Sequence, residues 1–381
     1  MIALITTGII FSTAIVVIPN LTYVNLLYVD QQQLRNTALG TMKAMLLYTG
    51  YPVDWGSAYT FTPDHVERFG LALAGSSSFY ELDPEKVQRL VAGNPSGSIG
   101  YDDIRTKMEL QDYGFNFRII PPFKVTVNDV DFDGESNPLT LQNLTDGVDV
   151  YVTYNHGSPI PKASIKATLL YVDKWDDFFT VEASNSTNLL GRCTINPNIQ
   201  SNPDDIEDFV IVFKVSVAEV TTITSSYMEG FENQHVMNTS IVGENITLTI
   251  PEGPGWEKDS AGVRYVVSIT LVTADEIRSL YNGTKSEEDK IQWGGDNWAW
   301  SKIFSGIKFM DTAFLIFNLD VPNPRRLIYI VGPHPNWAGS RVEAFGDADV
   351  TRASAAVKIS RTVLISGLTY IAELTLWKET S

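Results

Sequence analysis

"MIALITTGIIFSTAIVVIPNLTYVNLLYVDQ", residues 1–31, carries no charged side chain and no histidine before Asp30. At about 1.5 Å per helical residue, Met1 to Ile18 covers most of a hydrocarbon core roughly 30 Å thick. A secretory signal would open with a basic region and close on a small-residue cleavage site. A signal anchor would carry flanking positive charge. The first cation here is Arg35. The expectation is that a basic leader has been removed and that the apolar segment is the mature N-terminus.

The apolar pattern runs on past Pro19, which can kink a helix locally. Leu21, Val24, Leu27 and Tyr28 are followed by Leu34, Ala38, Leu39, Met42, Met45 and Leu46. Spacings of three and four predict a helix. The reading is one helix of about 45 residues, lipid-compatible in its first half and amphipathic in its second. It ends at Gly50-Tyr51-Pro52. Small residues at Ala3, Gly8, Ser12 and Ala14 allow close helix packing. A plain single-pass anchor is the simpler alternative, but it has no need of an amphipathic extension joined without a linker.

This design resembles the type IV pilin superfamily, the archaeal branch in particular. Bacterial pilins place Glu at the fifth mature position, whereas this chain has Ile5. The resemblance covers Met1 to about Tyr48. It implies a helix that anchors the subunit in the membrane and then bundles in a filament core, beneath a β-rich head. The implied core contacts are Ile2, Leu4, Ile5, Ile9, Ile10, Phe11, Ile15 and Val16, continued by Leu21, Val24, Leu27 and Leu34. Ordinary archaeal pilins are shorter, so a minor, tip or adhesive subunit stands beside a main filament subunit.

Beyond the helix, "YELDPEKVQRL" predicts a short helix with Asp83 as N-cap and Pro84 in the first turn. "YDDIRTKMEL" is a second candidate helix. From Gly114 the period changes to two. "FNFRIIPPFKVTVNDVDF", "DVYVTYN", "SIKATLLYVD", "FVIVFKVSVAEV", "NITLTIP", "VRYVVSITLVT", "AFLIFNL", "RLIYIVG" and "RTVLISGLTYIAELTLWKE" predict strands. The expected fold is α+β, a long N-terminal hydrophobic helix followed by a mainly β, immunoglobulin-like sandwich head. The expected domains are residues 1–50 for the filament-core helix, 51–113 for a mixed helix-loop segment, and 114–381 for the β-rich head in one or two sub-domains. No internal repeat stands out.

The 381 residues carry a net charge of −17. That argues against nucleic acid and against docking on anionic lipid through a basic patch. It suits an extracellular, salt-exposed surface. The single Cys193 rules out an intrachain disulfide and a thiolate zinc site. It reads as a buried or inert thiol. Sequons at Asn143, Asn185, Asn238, Asn245 and Asn282, outside the first helix, are candidate N-glycan acceptors. Chance is the bland explanation for several of them.

"DVDFDGES" sets Asp129, Asp131 and Asp133 before Gly134, the opening of a calcium loop. Position twelve is Thr140 rather than Glu, and the flanks read as strands. An Asp-Gly turn is therefore the plainer reading, with calcium as the candidate ligand. Trp293, Trp298 and Trp300 in "IQWGGDNWAWSKIF", with Trp256 and Trp337, suit packing or subunit contact better than glycan binding. The histidines at 65, 156, 235 and 334 are scattered, and no P-loop or G-x-S-x-G motif occurs. The expectation is thus not an enzyme, and no cofactor beyond candidate calcium and glycans. The partners expected are identical subunits in a helical filament, and the membrane before assembly. The localisation expected is the cell surface. A monomeric membrane-anchored adhesin or glycan-binding ectodomain is the alternative, and a secreted hydrolase comes third.

Overall fold

Three stretches are buried at every position: 167–173 (ATLLYVD), 208–213 (DFVIVF) and 314–319 (FLIFNL). Strands of that kind lie in sheets covered on both faces. The computed structural model describes residues 31–58, 61–90, 97–128, 139–175, 177–227, 238–251, 264–273, 275–294, 297–304, 313–320, 326–334, 344–346 and 355–379. It arranges them as five sheets of three to five strands. The strand numbers are those of propeller blades, but four of the sheets bury their faces against one another in pairs.

The first pair sets Phe123–Val127, Val148–Tyr154 and Arg192–Ile195 against a four-stranded sheet. The order in that sheet is Phe178–Ser186, Ser164–Asp173, Ile206–Val217, Val220–Tyr227. Val150, Val152, Ile165, Leu169, Phe209 and Phe213 share its core. In the second pair, Asn238–Val242, Asn245–Pro251, Asn297–Ile303 and Gln292–Gly294 face a sheet ordered Ile277–Asn282, Tyr265–Thr273, Ala313–Asp320, Arg326–His334. Leu248, Ile250, Ile269, Trp298, Trp300 and Phe317 share that core. The two sandwiches are wired alike. In each, strands one and two pair with a later strand in one sheet, while the other sheet runs four, three and then the last two. Among the described residues the short strand Gln292–Gly294 is the only addition. This repeat of topology has no visible counterpart in the residues.

The fifth sheet orders Glu81–Leu82, Ala356–Ile365, Leu368–Lys378, Tyr113–Ile120 and Ala344–Gly346. A helix at 31–47 lies on it. Leu34, Ala38, Met42, Met45 and Leu46 join Phe115, Phe117, Ile365, Leu374 and Leu376 in one core. The helix's terminal carbonyls need partners. Leu71 N–H donates to Met45 at 2.8 Å and Ala72 N–H to Tyr48 at 3.0 Å. Gly70 permits this approach, since a Cβ there would stand 2.2 Å from the Tyr48 carbonyl oxygen. Asp83 caps the helix Pro84–Gln88 by accepting from Glu85 N–H at 2.9 Å. Lys86 and Arg89, both buried, are committed to loop carbonyls: Lys86 donates to Ala72 at 3.0 Å and Arg89 to Gly56 at 3.0 Å.

The expected fold class is corrected. Strand dominates, and the head is a helix-covered sheet with two stacked sandwiches in place of one immunoglobulin-like sandwich. Among the described residues the first helix covers 31–47, and no helix is long and apolar enough to cross a membrane. The apolar half of the predicted helix lies outside the described residues. The C-terminal strands belong with the helix-bearing sheet, not with a unit spanning 114–381. Periodicity locates strands, but distant pairing decides which sheet they join.

The back of the four-stranded sheet of the first sandwich meets the back of the Tyr265–Thr273 sheet of the second. Leu170, Val210, Val212 and Ile223 on one side and Val272, Phe314 and Ile316 on the other belong to the same cluster as the helix core. Two strand edges are covered by side chains. Gln88 donates Nε2–H to the Ile241 carbonyl at 2.6 Å and accepts Ile241 N–H at 3.3 Å, and Glu85 accepts Gly243 N–H at 2.8 Å. Asp208 accepts Ile328 N–H, from edge strand Arg326–His334, at 2.6 Å. Unpaired edges invite foreign strands, and such cover removes the risk.

Burial pushes the Asp208 carboxyl from 3.8 up to about 7, with Glu207 adding to the rise and the two N–H donors opposing it. A folded-state pKa above the unfolded value stabilises most at low pH. Its contribution is complete below about pH 4 and is lost as pH rises through about 7. Urea titrations of wild type and Asp208→Asn across this range should show the wild type losing stability relative to the variant. Parallel curves would exclude Asp208 as the source.

Candidate assembly surfaces

Of the predicted core contacts, Ile2 through Leu27 lie outside the described residues. Leu34 is 6% exposed and packs in the chain's own core. The helix therefore has one committed face. Its opposite face carries Gln33, Asn36, Gly40, Lys43 and Leu47, all exposed at helical spacing. No Gly, Ser or Pro separates Leu21 from the first described helical residue, Gln31. Just beyond the helix, Tyr48, Tyr51 and Val53 are also exposed.

The calcium candidates Asp129, Asp131 and Asp133 lie outside the described residues. Among the described residues no three acidic, His or Cys side chains converge as a metal site. His65 and His156 are exposed, His334 lies on a strand, and His235 is outside. Burial, with a smaller contribution from Asp149, pushes the Cys193 thiol up to about 11. A thiol so shifted carries little thiolate at neutral pH.

Trp298 and Trp300 are core residues of the second sandwich. Trp300 donates Nε1–H to the Glu288 carbonyl at 3.1 Å, and Arg264 stacks on Trp298 at 4.1 Å. Trp293 meets Trp298 edge-on at 5.4 Å. Trp256 and Trp337 lie outside the described residues. Among the described residues the exposed indole is Trp175, 69% accessible in a hairpin turn, where no sequence motif marked it.

The sequons differ in environment. Asn143 Oδ1 accepts Thr140 N–H at 2.8 Å in a helix cap. Asn185 is exposed, but its amide donates to the Thr194 carbonyl at 2.8 Å, and the Thr187 of its sequon is buried. Asn238 opens an edge strand and Asn282 is exposed at a strand end. Asn245 lines an open cavity of about 690 Å³ with Glu288, Ser301, Lys302 and Ile303. Ser301 Oγ donates to Asn245 Oδ1 at 3.0 Å, and Asn245 Nδ2 donates to Thr247 Oγ1 at 3.2 Å. Behind it, Lys302 donates to the Tyr281 hydroxyl at 2.9 Å, and Tyr281 donates to buried Asp289. Asp289 also accepts N–H groups of Thr284 and Ser286 at 2.8 Å. These contacts hold the loop after Asn282 in place, and they give the cavity a rigid wall.

Sequence reading missed the most exposed apolar pair in the first sandwich, Leu189 (81%) and Leu190 (67%). They sit on a turn closed by Gly191 N–H donating to Asn188 at 3.0 Å. The "NLLG" run was the available signal, a turn whose central residues are both leucine. No protein-family model matches the chain, and no curated protein matches it.

Gly40 sits mid-helix with open space where a Cβ would stand. Gly40→Ala should raise stability by about 0.5–1 kcal/mol in chemical denaturation. A loss of stability would show that the helix needs glycine there.

Proposed function

We propose that the chain is a structural subunit of an extracellular, type IV pilus-like filament on an archaeal cell surface, assembled through its N-terminal apolar segment. One observation carries the reading. Twenty-nine residues without charge precede Asp30 and lead into a helix whose inner face is the head's own core. A tether for an independent ectodomain works best through a flexible linker. Direct fusion transmits position from the apolar segment to the head, as a lattice of repeated subunits requires. The membrane holds the segment before assembly, and identical neighbours cover it afterwards by contacts that do not close. The acidic head, with N-glycans on accessible sequons, faces the medium.

Electron microscopy of shed surface material tests this. Filaments that contain the chain support it, and detergent-soluble monomers alone favour the anchored adhesin. A buried unpaired charge costs several kcal/mol. Ile9→Lys or Phe11→Asp should therefore abolish filaments while circular dichroism of the head stays unchanged. Survival of filaments with either charge would end the core-segment reading.

A further inference from the structure

The end of the first sandwich that carries Leu189 and Leu190 differs from the rest of the molecule. Its loops are tied together. Gly191 accepts Val152 N–H at 2.8 Å, Lys162 N–H donates to Thr187 at 2.9 Å, and Tyr154 N–H to Ser158 at 2.9 Å. Exposed Tyr154 stacks on His156 with ring centroids 5.4 Å apart. No Asp or Glu occurs from Val150 to Val172 or from Ala183 to Pro203, in a chain of net charge −17. Lys124, Lys162 and Arg192 are exposed on this end, the last stacked over Tyr151 at 5.2 Å, and the exposed Asp149 lines a surface pocket with Arg192 and Asn188. Glu219 is exposed on the same end, in the turn after Ile206–Val217, across Ser164–Asp173 from the leucine turn. The result is an apolar knob flanked by Lys162 and Arg192.

The second sandwich has the complementary feature. Its cavity is bounded by Ile303, 67% exposed, and by Glu288. Glu287 and Glu288 are among its most exposed acids, with side chains 84% and 83% accessible, each in a loose surface ion pair, with Lys290 at 3.5 Å and with the cavity-lining Lys302 at 3.6 Å. Both lie in the loop that Asp289 holds in shape. Knob and socket occupy different sandwiches, so a contact between them joins unlike surfaces of two copies. Such contacts propagate into rows.

We propose that the Leu189–Leu190 turn of one copy seats in the Asn245–Ile303 cavity of a second copy, with Lys162 and Arg192 facing Glu287 and Glu288. This rests on the reading of the chain as a self-assembling subunit, and it names the head-to-head contact. Desolvated leucines supply the affinity, and opposite charge selects the orientation.

Sedimentation velocity of the full chain in detergent tests the contact, because the micelle masks the apolar segment. Association should strengthen with concentration and weaken about tenfold from low to high salt. Leu189→Ser with Leu190→Ser should weaken it at least about tenfold with an unchanged melting temperature, and Ile303→Ser should do the same. Lys162→Glu with Arg192→Glu should abolish it. Adding Glu287→Lys and Glu288→Lys to that chain should restore it, since each copy then carries both reversed patches. A monomer at all concentrations overturns the proposal, as does association indifferent to these changes. So does a glycan found on Asn245 by mass spectrometry, which would fill the socket. Binding to vesicles of anionic lipid, lost in the leucine variants, would assign the knob to membrane instead. Ile9→Lys separates the two ideas. It should remove filaments yet leave association in detergent intact. Loss of detergent association in the leucine variants, with filaments persisting in Ile9→Lys, would sink the core-segment reading and leave this contact standing.

Discussion

The back-to-back contact between the Ile206–Val217 sheet of the first sandwich and the Ala313–Asp320 sheet of the second is what the rest of the architecture depends on. A sheet in a free sandwich shows one apolar face and one polar face. Here Leu170, Val210 and Val212 turn away from their own sandwich core and meet Phe314 and Ile316 from the neighbour. At about 25 cal/mol per Å² of apolar surface, an interface of this kind carries the relative placement of the units. The same cluster extends to the helix and its sheet, so three units share one continuous apolar interior. Asp208, Glu85 and Gln88 then close strand edges where the units meet. Burial raises the pKa of both carboxyls, because a desolvated charge is costly even with backbone donors beside it.

Local elements were legible where a residue's neighbours in sequence decide its conformation. Ser164–Asp173 and Asn245–Pro251 coincide with their predicted runs, and Asp83 caps its helix as its position before Pro84 implies. Strands at sheet edges were harder. Phe178–Ser186 is largely exposed and breaks the alternation, and Val220–Tyr227 is rich in Thr and Ser. The tryptophan run is not among the predicted strands, yet Asn297–Ile303 is one, because aromatic burial outweighs the Gly and Asn around it. The uninterrupted apolar runs gave strands their positions but did not disclose that both faces would be covered. That depends on which sheet arrives behind them.

The candidate surfaces divide in the same way. The apolar segment is legible from composition alone, since nothing but the absence of charge defines it. Leu34 shows the limit: its spacing suits an outer seam, and its environment is the inner core. The leucine turn and the cavity at Asn245 were not legible. Each is made by loops brought together across a sandwich end, and neither has a periodic pattern. Exposure is a property of what fails to pack, and sequence alone cannot assign it to Leu189 while assigning burial to Leu170.

The sheet beneath the helix joins both ends of the described chain: Glu81 and Leu82 run beside Leu364 and Ile365, and Leu368–Lys378 is central to it. During synthesis the first helix emerges well before Ala356–Ile365 and Leu368–Lys378, which complete the sheet beneath it. The two sandwiches can close in the interval, each from contiguous chain, while the oldest segment waits. A chain interrupted before Ala356 would thus leave much of the apolar side of its first helix uncovered. Burial of that helix thus reports whether these two late strands have been made and docked.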